Sequence, residues 1–125
     1  FIVAATNMKN LIDPALLASG RFGLHIEIPM PNLEGLKQIF KIHSKNQPLF
    51  GDVSVDKLVT AMFENKFNGA DVAEMITDAF FNAIERLGLH EKMDARTFGF
   101  EDLKKILISK ADFEKALERL AKQKL

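Results

Sequence analysis

The feature that most constrains this fold is one long apolar stripe between Asn68 and Gly88. Asn68 and Asp71 have the spacing of a capping box, in which two side chains satisfy the first backbone N–H groups of a helix. The apolar residues then recur every three or four positions, the period of an α-helix with one buried face: Val72, Met75, Ile76, Ala79, Phe80, Ala83, Ile84 and Leu87. Gly88 is suited to end the helix. Because such a face must be covered by other helices, the sequence predicts a bundle core.

Shorter stripes of the same period lie on both sides of this helix. Three of them begin at residues suited to cap a helix: Asn32, Ser54 and Ser109. A further short helix is predicted over residues 100–107, after a polar connection from Gly88 to Gly99. The sequence therefore predicts a mainly α fold, with four or five amphipathic helices sharing one core over residues 31–125.

The start of the chain follows a different pattern. Residues 1–5 are apolar at every position, which is typical of a strand buried on both faces of a parallel sheet. Leu24, Ile26 and Ile28 alternate with polar residues, the period of a strand with one solvent face. Phe1 is not a methionine and lies inside the apolar run, so we expect a chain cut from a longer one. Residues 1–30 are thus predicted to be a remnant, of about two strands, of a parallel α/β domain.

Composition excludes several functions. Seventeen basic residues balance seventeen acidic ones, so no charge excess favours nucleic acid. The basic residues that cluster at the end, Lys115, Arg119, Lys122 and Lys124, fall in a predicted helix whose last turns favour cations, which indicates a structural role. No apolar run approaches the roughly 20 residues that span a bilayer. The chain has no cysteine, which fits a reducing compartment, and we expect a cytoplasmic protein. The three histidines lack carboxylates at metal-ligand spacing, so no metal site is expected.

Three polar residues are candidates for chemistry, and each also has a structural interpretation. Asn7 follows the predicted buried strand, at the edge where α/β sheets bind ligands, but asparagine is also a common turn residue. Arg21 follows a glycine turn and offers a charged fork suited to phosphate, although an isolated arginine is usually solvated. His43 lies on an apolar stripe, where a histidine is more often a core residue than a ligand.

Six segments form a recognisable series along the chain: Val3–Asn7, Ile12–Leu17 and Gly20–Phe22, then Ile39–Asn46, Phe67–Asp71 and Ile108–Leu117. The first three resemble the second region of homology of AAA ATPases, and the last three resemble the helical lid of that family. The likeness spans nearly the whole chain and is closest to the unfoldase and AAA-protease branches. It implies that residues 31–125 form the lid domain, after a remnant of the nucleotide-binding domain.

The resemblance also implies residue roles. Asn7 would be the sensor 1 residue, which contacts the terminal phosphate or the attacking water. Arg21 would be an arginine finger that reaches a neighbouring subunit's ATP. Ile39 would contact the adenine and His43 the sugar, whereas Gly69 and Ala70 would let the backbone approach the adenine closely.

The implied function is ATP binding coupled to protein unfolding or remodelling in an oligomeric ring, expected to be hexameric. The chain contains no Gly-rich loop ending in Lys-Ser or Lys-Thr and no strand ending in an acidic pair. The phosphate and Mg²⁺ ligands are therefore expected elsewhere in the parent, and this chain alone should not hydrolyse ATP.

Two alternatives stay open. The family usually has an arginine at the place of Ala18 and an Asp-Arg pair at the place of Gly23-Leu24. These differences favour a degenerate element that builds a ring or docks partners without hydrolysis. A free-standing helical binding module, even one that reads nucleic acid, is a third possibility, which the neutral charge disfavours.

Overall fold

The computed structural model describes residues 1–124, and within them the chain is mainly α-helical. The helices are α1 Leu33–Ser44, α2 Val55–Glu64, α3 Gly69–Arg86, α4 His90–Asp94, α5 Phe100–Leu103 and α6 Lys110–Gln123. Helix α3 packs along both α6 and α1, and α1 packs against α2. The core lies between these four helices, and the predicted helical bundle is confirmed.

Helix α3 is built as its sequence predicts. The Asn68 side chain accepts a hydrogen bond from the Asp71 backbone N–H (3.0 Å), and the Asp71 carboxylate accepts one from the Asn68 N–H (2.7 Å). At the other end Gly88 adopts the left-handed conformation (φ 67°), which lets Leu89 N–H bond to the Ile84 carbonyl. These hydrogen bonds satisfy backbone groups that the helix ends would otherwise leave unpaired.

The segment at residues 1–30 contains two short 3₁₀ turns, Lys9–Leu11 and Pro14–Leu17. Residues 1–5 and 24–28, which we predicted to be strands, form no strand here, and that expectation is corrected. Their side chains are exposed, as in Phe1, Val3 and Ile28. The reason is physical: a strand gains its backbone hydrogen bonds and its covered face from neighbouring strands.

The connection between α3 and α6 differs from the sequence prediction. The stretch expected to be a polar loop contains α4, preceded by the buried Leu89. Helix α5 ends at Leu103, earlier than predicted, because the chain then turns to place Ile106 and Ile108 in the core. Ile108 also forms an isolated parallel bridge with Leu49.

None of the helices that the structure describes is both long enough and apolar enough to cross a bilayer.

Candidate functional site

The packing of α1 against α3 brings two of the predicted site residues together. Gly69 is the first residue of α3, and Ile39 lies past the middle of α1. The position that a Cβ atom would take on Gly69 is 4.0 Å from Ile39 Cδ1. Both residues are half-buried. They form a small apolar surface between the two helices.

The other two residues predicted for this region, Ala70 and His43, follow Gly69 and Ile39 on the same two helices. Ala70 follows Gly69 in the first turn of α3 and is exposed. His43 lies four residues after Ile39, on the same face of α1, and is also exposed. Its interpretation as a core histidine is therefore wrong. We call Ile39, His43, Gly69 and Ala70 the α1–α3 ledge: an apolar surface with a polar imidazole at one end.

The ledge is positioned by a tight turn between α2 and α3. Lys66 adopts the left-handed conformation (φ 53°), which is unusual for a residue with a side chain. It allows Phe67 N–H to bond to the Met62 carbonyl (3.0 Å), and the Phe67 ring is buried in the core. The chain then enters the capping box at Asn68. The first turn of α3 is thus fixed on both sides of Gly69.

Asn7 and Arg21 lie in the other segment, and both are exposed. The Arg21 guanidinium donates a hydrogen bond to the Ala15 carbonyl (3.0 Å), and Arg21 N–H bonds to the Ala18 carbonyl. Within residues 1–124, no hydrogen bond or ion pair joins either residue to the ledge. The structure therefore assembles the predicted site only in part.

Ion pairs brace α6 to the rest of the bundle. The basic residues at the end of the chain are all paired: Lys115 with Glu85, Arg119 with Glu74 and Asp78, Lys122 with Glu118 and Lys124 with Asp71. The hydrogen bond that Lys115 donates lowers the pKa of Glu85, and the hydrogen bonds that Arg119 donates to Glu74 and Asp78 raise the pKa of Arg119. The pairs of Lys115, Arg119 and Lys124 reach α3, whereas Lys122 pairs within α6, and the structural role of these cations stays a prediction.

An ion pair that the sequence did not suggest, between the buried Asp112 carboxylate and the half-exposed Arg86, joins α3 to the start of α6. Asp112 is 4% exposed and accepts hydrogen bonds from Arg86 Nε (3.1 Å), Arg86 Nη2 (2.9 Å) and Ser109 N–H (2.8 Å). Burial alone would raise the pKa of the Asp112 carboxyl, but these hydrogen bonds outweigh it and hold the pKa below its usual value. Arg86 also donates to the Leu107 carbonyl (2.8 Å). No sequence pattern links residues this far apart.

The rest of the described surface offers little else for ligand chemistry. In residues 1–124, no three histidine, aspartate or glutamate side chains lie close enough to hold a metal ion. Two shallow clefts are present, one beside Arg86 and Phe50 and one beside Arg119 and Phe81. Neither cleft is lined by a residue of the α1–α3 ledge.

Comparison with known proteins finds relatives along most of the chain. The chain is 35% identical over 119 residues to the cell division cycle protein 48 homolog of Archaeoglobus fulgidus, covering 95% of this chain and 16% of that protein. It is 46% identical over 83 residues to the proteasome-activating nucleotidase of Methanopyrus kandleri, covering 66% of this chain and 19% of that protein. It is 42% identical over 85 residues to the ATP-dependent zinc metalloprotease FtsH 1 of a Thermoanaerobacter species, covering 68% of this chain and 14% of that protein. No family model matches the chain.

The helical bundle and these relatives define a portion of an AAA ATPase. More particularly, the chain belongs to the AAA family as the C-terminal part of its ATPase module, so the resemblance is confirmed. It spans less than a fifth of the length of each of these three relatives. The division of the chain at residue 30 stays a prediction, although the core begins only at Leu36.

Proposed function

We propose that the α1–α3 ledge is the adenine- and ribose-binding side of an ATP site. Ile39, Gly69 and Ala70 would face the base, and His43 would lie beside the sugar. The proposal is supported by the proximity of Ile39 to Gly69, both of them half-buried, and by the exposed imidazole one turn away. An apolar wall with one polar tip suits this half of a nucleotide.

The observation that carries the proposal is that the fold does not require glycine at position 69. Gly69 does not have the positive φ that favours glycine at Gly20 and Gly88. A Cβ there would meet Ile39 at an ordinary van der Waals distance of 4.0 Å. Packing within the chain leaves room for a side chain here, so glycine leaves the backbone at the start of α3 open to a flat group that approaches from outside.

The roles proposed for Asn7 and Arg21 concern the phosphates. Asn7 would orient the attacking water, and Arg21 would place positive charge beside the nucleotide of a neighbouring subunit. Their support is exposure, together with a guanidinium tethered to the Ala15 carbonyl through one terminal nitrogen. A guanidinium has five N–H donors, so those not used in this hydrogen bond can meet phosphate oxygens.

The remaining parts of the proposal rest on membership of the AAA family. The parent protein would bind ATP with Mg²⁺, assemble into a ring, expected to be hexameric, and remodel protein substrates in the cytoplasm. Relatives named as a proteasome activator and as a protease support a protein substrate. Bound ATP supplies the phosphoanhydride that is hydrolysed. This chain contributes the surface that holds the base and sugar, and by itself it should show no Mg²⁺-dependent ATPase activity.

The test is a titration of the ¹⁵N-labelled chain with ADP, followed by two-dimensional NMR. We expect a dissociation constant on the order of millimolar, because the Gly-rich phosphate-binding loop is not in this sequence. The amide signals of Ile39, His43, Gly69 and Ala70 should move most. Signals that move only in α6, or none that move at millimolar ADP, would contradict the proposal.

A matched pair of variants sharpens this test. Gly69→Ala should weaken ADP binding about fivefold or more, since its methyl group occupies the space proposed for the base. Gly51→Ala places a methyl group where no atom lies within 4 Å and should bind ADP like the wild type. Both chains should melt close to the wild-type temperature. Equal ADP affinity in the two variants would remove the argument from Gly69.

The second candidate function is a ring-building element without hydrolysis, which Ala18 and the Gly23-Leu24 pair favour. A chimera in which this chain replaces the matching part of the Methanopyrus kandleri nucleotidase distinguishes the two. If Arg21 acts across the subunit boundary, the chimera hydrolyses ATP and Arg21→Ala abolishes most of that activity. If the chain is only a scaffold, the chimera forms rings that are inactive with or without Arg21.

A further inference from the structure

The last turn of α6 reaches the tight turn that precedes α3. The Lys124 ammonium lies 2.6 Å from Asp71 Oδ2 and 3.0 Å from the Lys66 carbonyl oxygen. It also lies 5.3 Å from the centre of the Phe67 ring, within the range of a cation–π contact. The side chains of Lys124 and Asp71 are 31% and 18% exposed, so solvent screens this pair only in part.

The Asp71 oxygen that Lys124 contacts is also the one that completes the capping box. Asp71 Oδ2 accepts the hydrogen bond from the Asn68 backbone N–H (2.7 Å). Gly69 and Ala70 lie between these two residues, so the box sets the direction of their backbone. A cation on Oδ2 limits the rotation of the carboxylate and thereby stabilises that direction.

The second contact of Lys124 holds the other side of the turn. Lys66 has a left-handed backbone (φ 53°), which a residue with a side chain adopts only at a cost. Its carbonyl accepts a hydrogen bond from the Lys124 ammonium (3.0 Å). The side chain of Lys124, the residue that follows α6, therefore contacts both the left-handed residue before α3 and the capping carboxylate within it.

We propose that Lys124 is a positioning residue for the nucleotide site. It acts through Asp71 and Lys66 to hold the backbone of Gly69 and Ala70 where an adenine ring can lie against it, and it need not touch the nucleotide. The end of α6 is thereby coupled to the ledge. This inference rests on the function proposed for the α1–α3 ledge.

Lys122 provides a matched control. It carries the same charge two residues earlier, but its ion pair is with Glu118 of the same helix (2.7 Å), and both side chains are exposed. Lys122→Met therefore removes a cation from the end of α6 without affecting the turn before α3. Lys124→Met removes the cation that contacts the turn, and Lys124→Arg keeps the charge and the donors.

The experiment compares these three variants with the wild type by amide hydrogen exchange and by ADP titration of the whole chain. We expect Lys124→Met to speed exchange at Asp71 and Val72 and to weaken ADP binding about fivefold. Lys122→Met should change neither, and Lys124→Arg should recover most of both. Melting curves for all chains show whether each variant is folded.

Two results would overturn the inference, and only the second of them would also overturn the proposed function. If Lys124→Met is folded and binds ADP as tightly as the wild type, the lysine has no positioning role, and the proposed nucleotide surface stands. If the wild-type chain itself gives no ADP shifts at the ledge, the proposed function fails, and the inference fails with it.

Discussion

The first 30 residues and the rest of the chain are both rich in apolar side chains, yet only the second region buries them. Phe1, Ile2 and Val3 are at least 80% exposed, whereas Leu36 and Phe40 are at most 1% exposed. A helix satisfies its backbone hydrogen bonds within itself and needs only one covered face. A strand needs partners for both its backbone and its faces. An apolar pattern therefore determines structure only where the complementary surface belongs to the same chain.

The largest expected effect is the loss of stability when a buried aromatic residue is truncated, compared with the loss when an exposed one is truncated. Phe113 is fully buried, and its ring centre lies 5.7 Å from that of Phe40. Phe113→Ala should lower the free energy of unfolding by about 4 kcal/mol, through lost burial and the cavity left behind. Urea denaturation followed by circular dichroism measures it. Phe1→Ala is the control and should have no measurable effect; comparable losses in the two variants would break the comparison.

A smaller effect is expected for the buried ion pair within the bundle. Asp112→Asn keeps the shape of the side chain but removes the charge that Arg86 contacts, and it should cost about 2 kcal/mol at pH 7. Arg86 is half-exposed, which keeps the cost below that of a fully buried pair. In the control, Asp56→Asn breaks an exposed pair with Lys37 and should leave stability unchanged.

The stability difference between the wild type and Asp112→Asn should also depend on pH. The pKa of Asp112 is lowered in the folded protein, so its charge stabilises the fold above the unfolded pKa of about 4. That contribution is lost as pH falls through the lower, folded pKa. The stability difference between wild type and Asp112→Asn should therefore be constant above about pH 5 and shrink below pH 4. A difference that grows on acidification would show that the sign is wrong.

A gain of about 0.5 kcal/mol is expected for Lys66→Gly, because glycine adopts the left-handed conformation at this position without strain. The gain is partly offset by the greater freedom of glycine in the unfolded chain. Lys66→Ala keeps the strained backbone and should give no gain. If alanine stabilised the chain as much as glycine, backbone strain at residue 66 would not be the cause.

The smallest effect is expected from removing residues 1–30 altogether. None of these residues is buried, so the remaining chain should unfold within about 0.5 kcal/mol of the intact one. Removal should also reduce self-association, since it takes away exposed apolar side chains. Thermal melting and analytical ultracentrifugation measure the two effects. A loss of several kcal/mol would show that the two regions are not independent in the way the comparison assumes.

The sequence predicted those parts of the fold that depend on neighbours along the chain. The capping box at Asn68 and Asp71 and the helix end at Gly88 are set by residues three or four apart, and each was predicted correctly. The Arg86–Asp112 pair and the Leu49–Ile108 bridge join distant residues through packing, which no local pattern reports. The strand predictions failed because their partners are not among the described residues.

The candidate site also has a part that depends on this chain's own helices and a part that does not. Ile39 and Gly69 are brought near each other by two helices of this chain, so their placement can be compared with the prediction directly. The exposed imidazole of His43 shows that position on an apolar stripe does not by itself determine burial. The phosphate-side roles of Asn7 and Arg21 stay predictions, because they need surfaces that this chain does not supply.

The most direct test of the central claim is photolabelling of the chain with 8-azido-ADP, followed by peptide mass spectrometry. If the α1–α3 ledge binds adenine, the label should fall within α1 and the first turn of α3, at residues 33–44 and 68–71. Excess ADP should compete it away, and Gly69→Ala should reduce it. A label confined to α6, or one that ADP does not compete, would contradict the claim that these two helices form a nucleotide site.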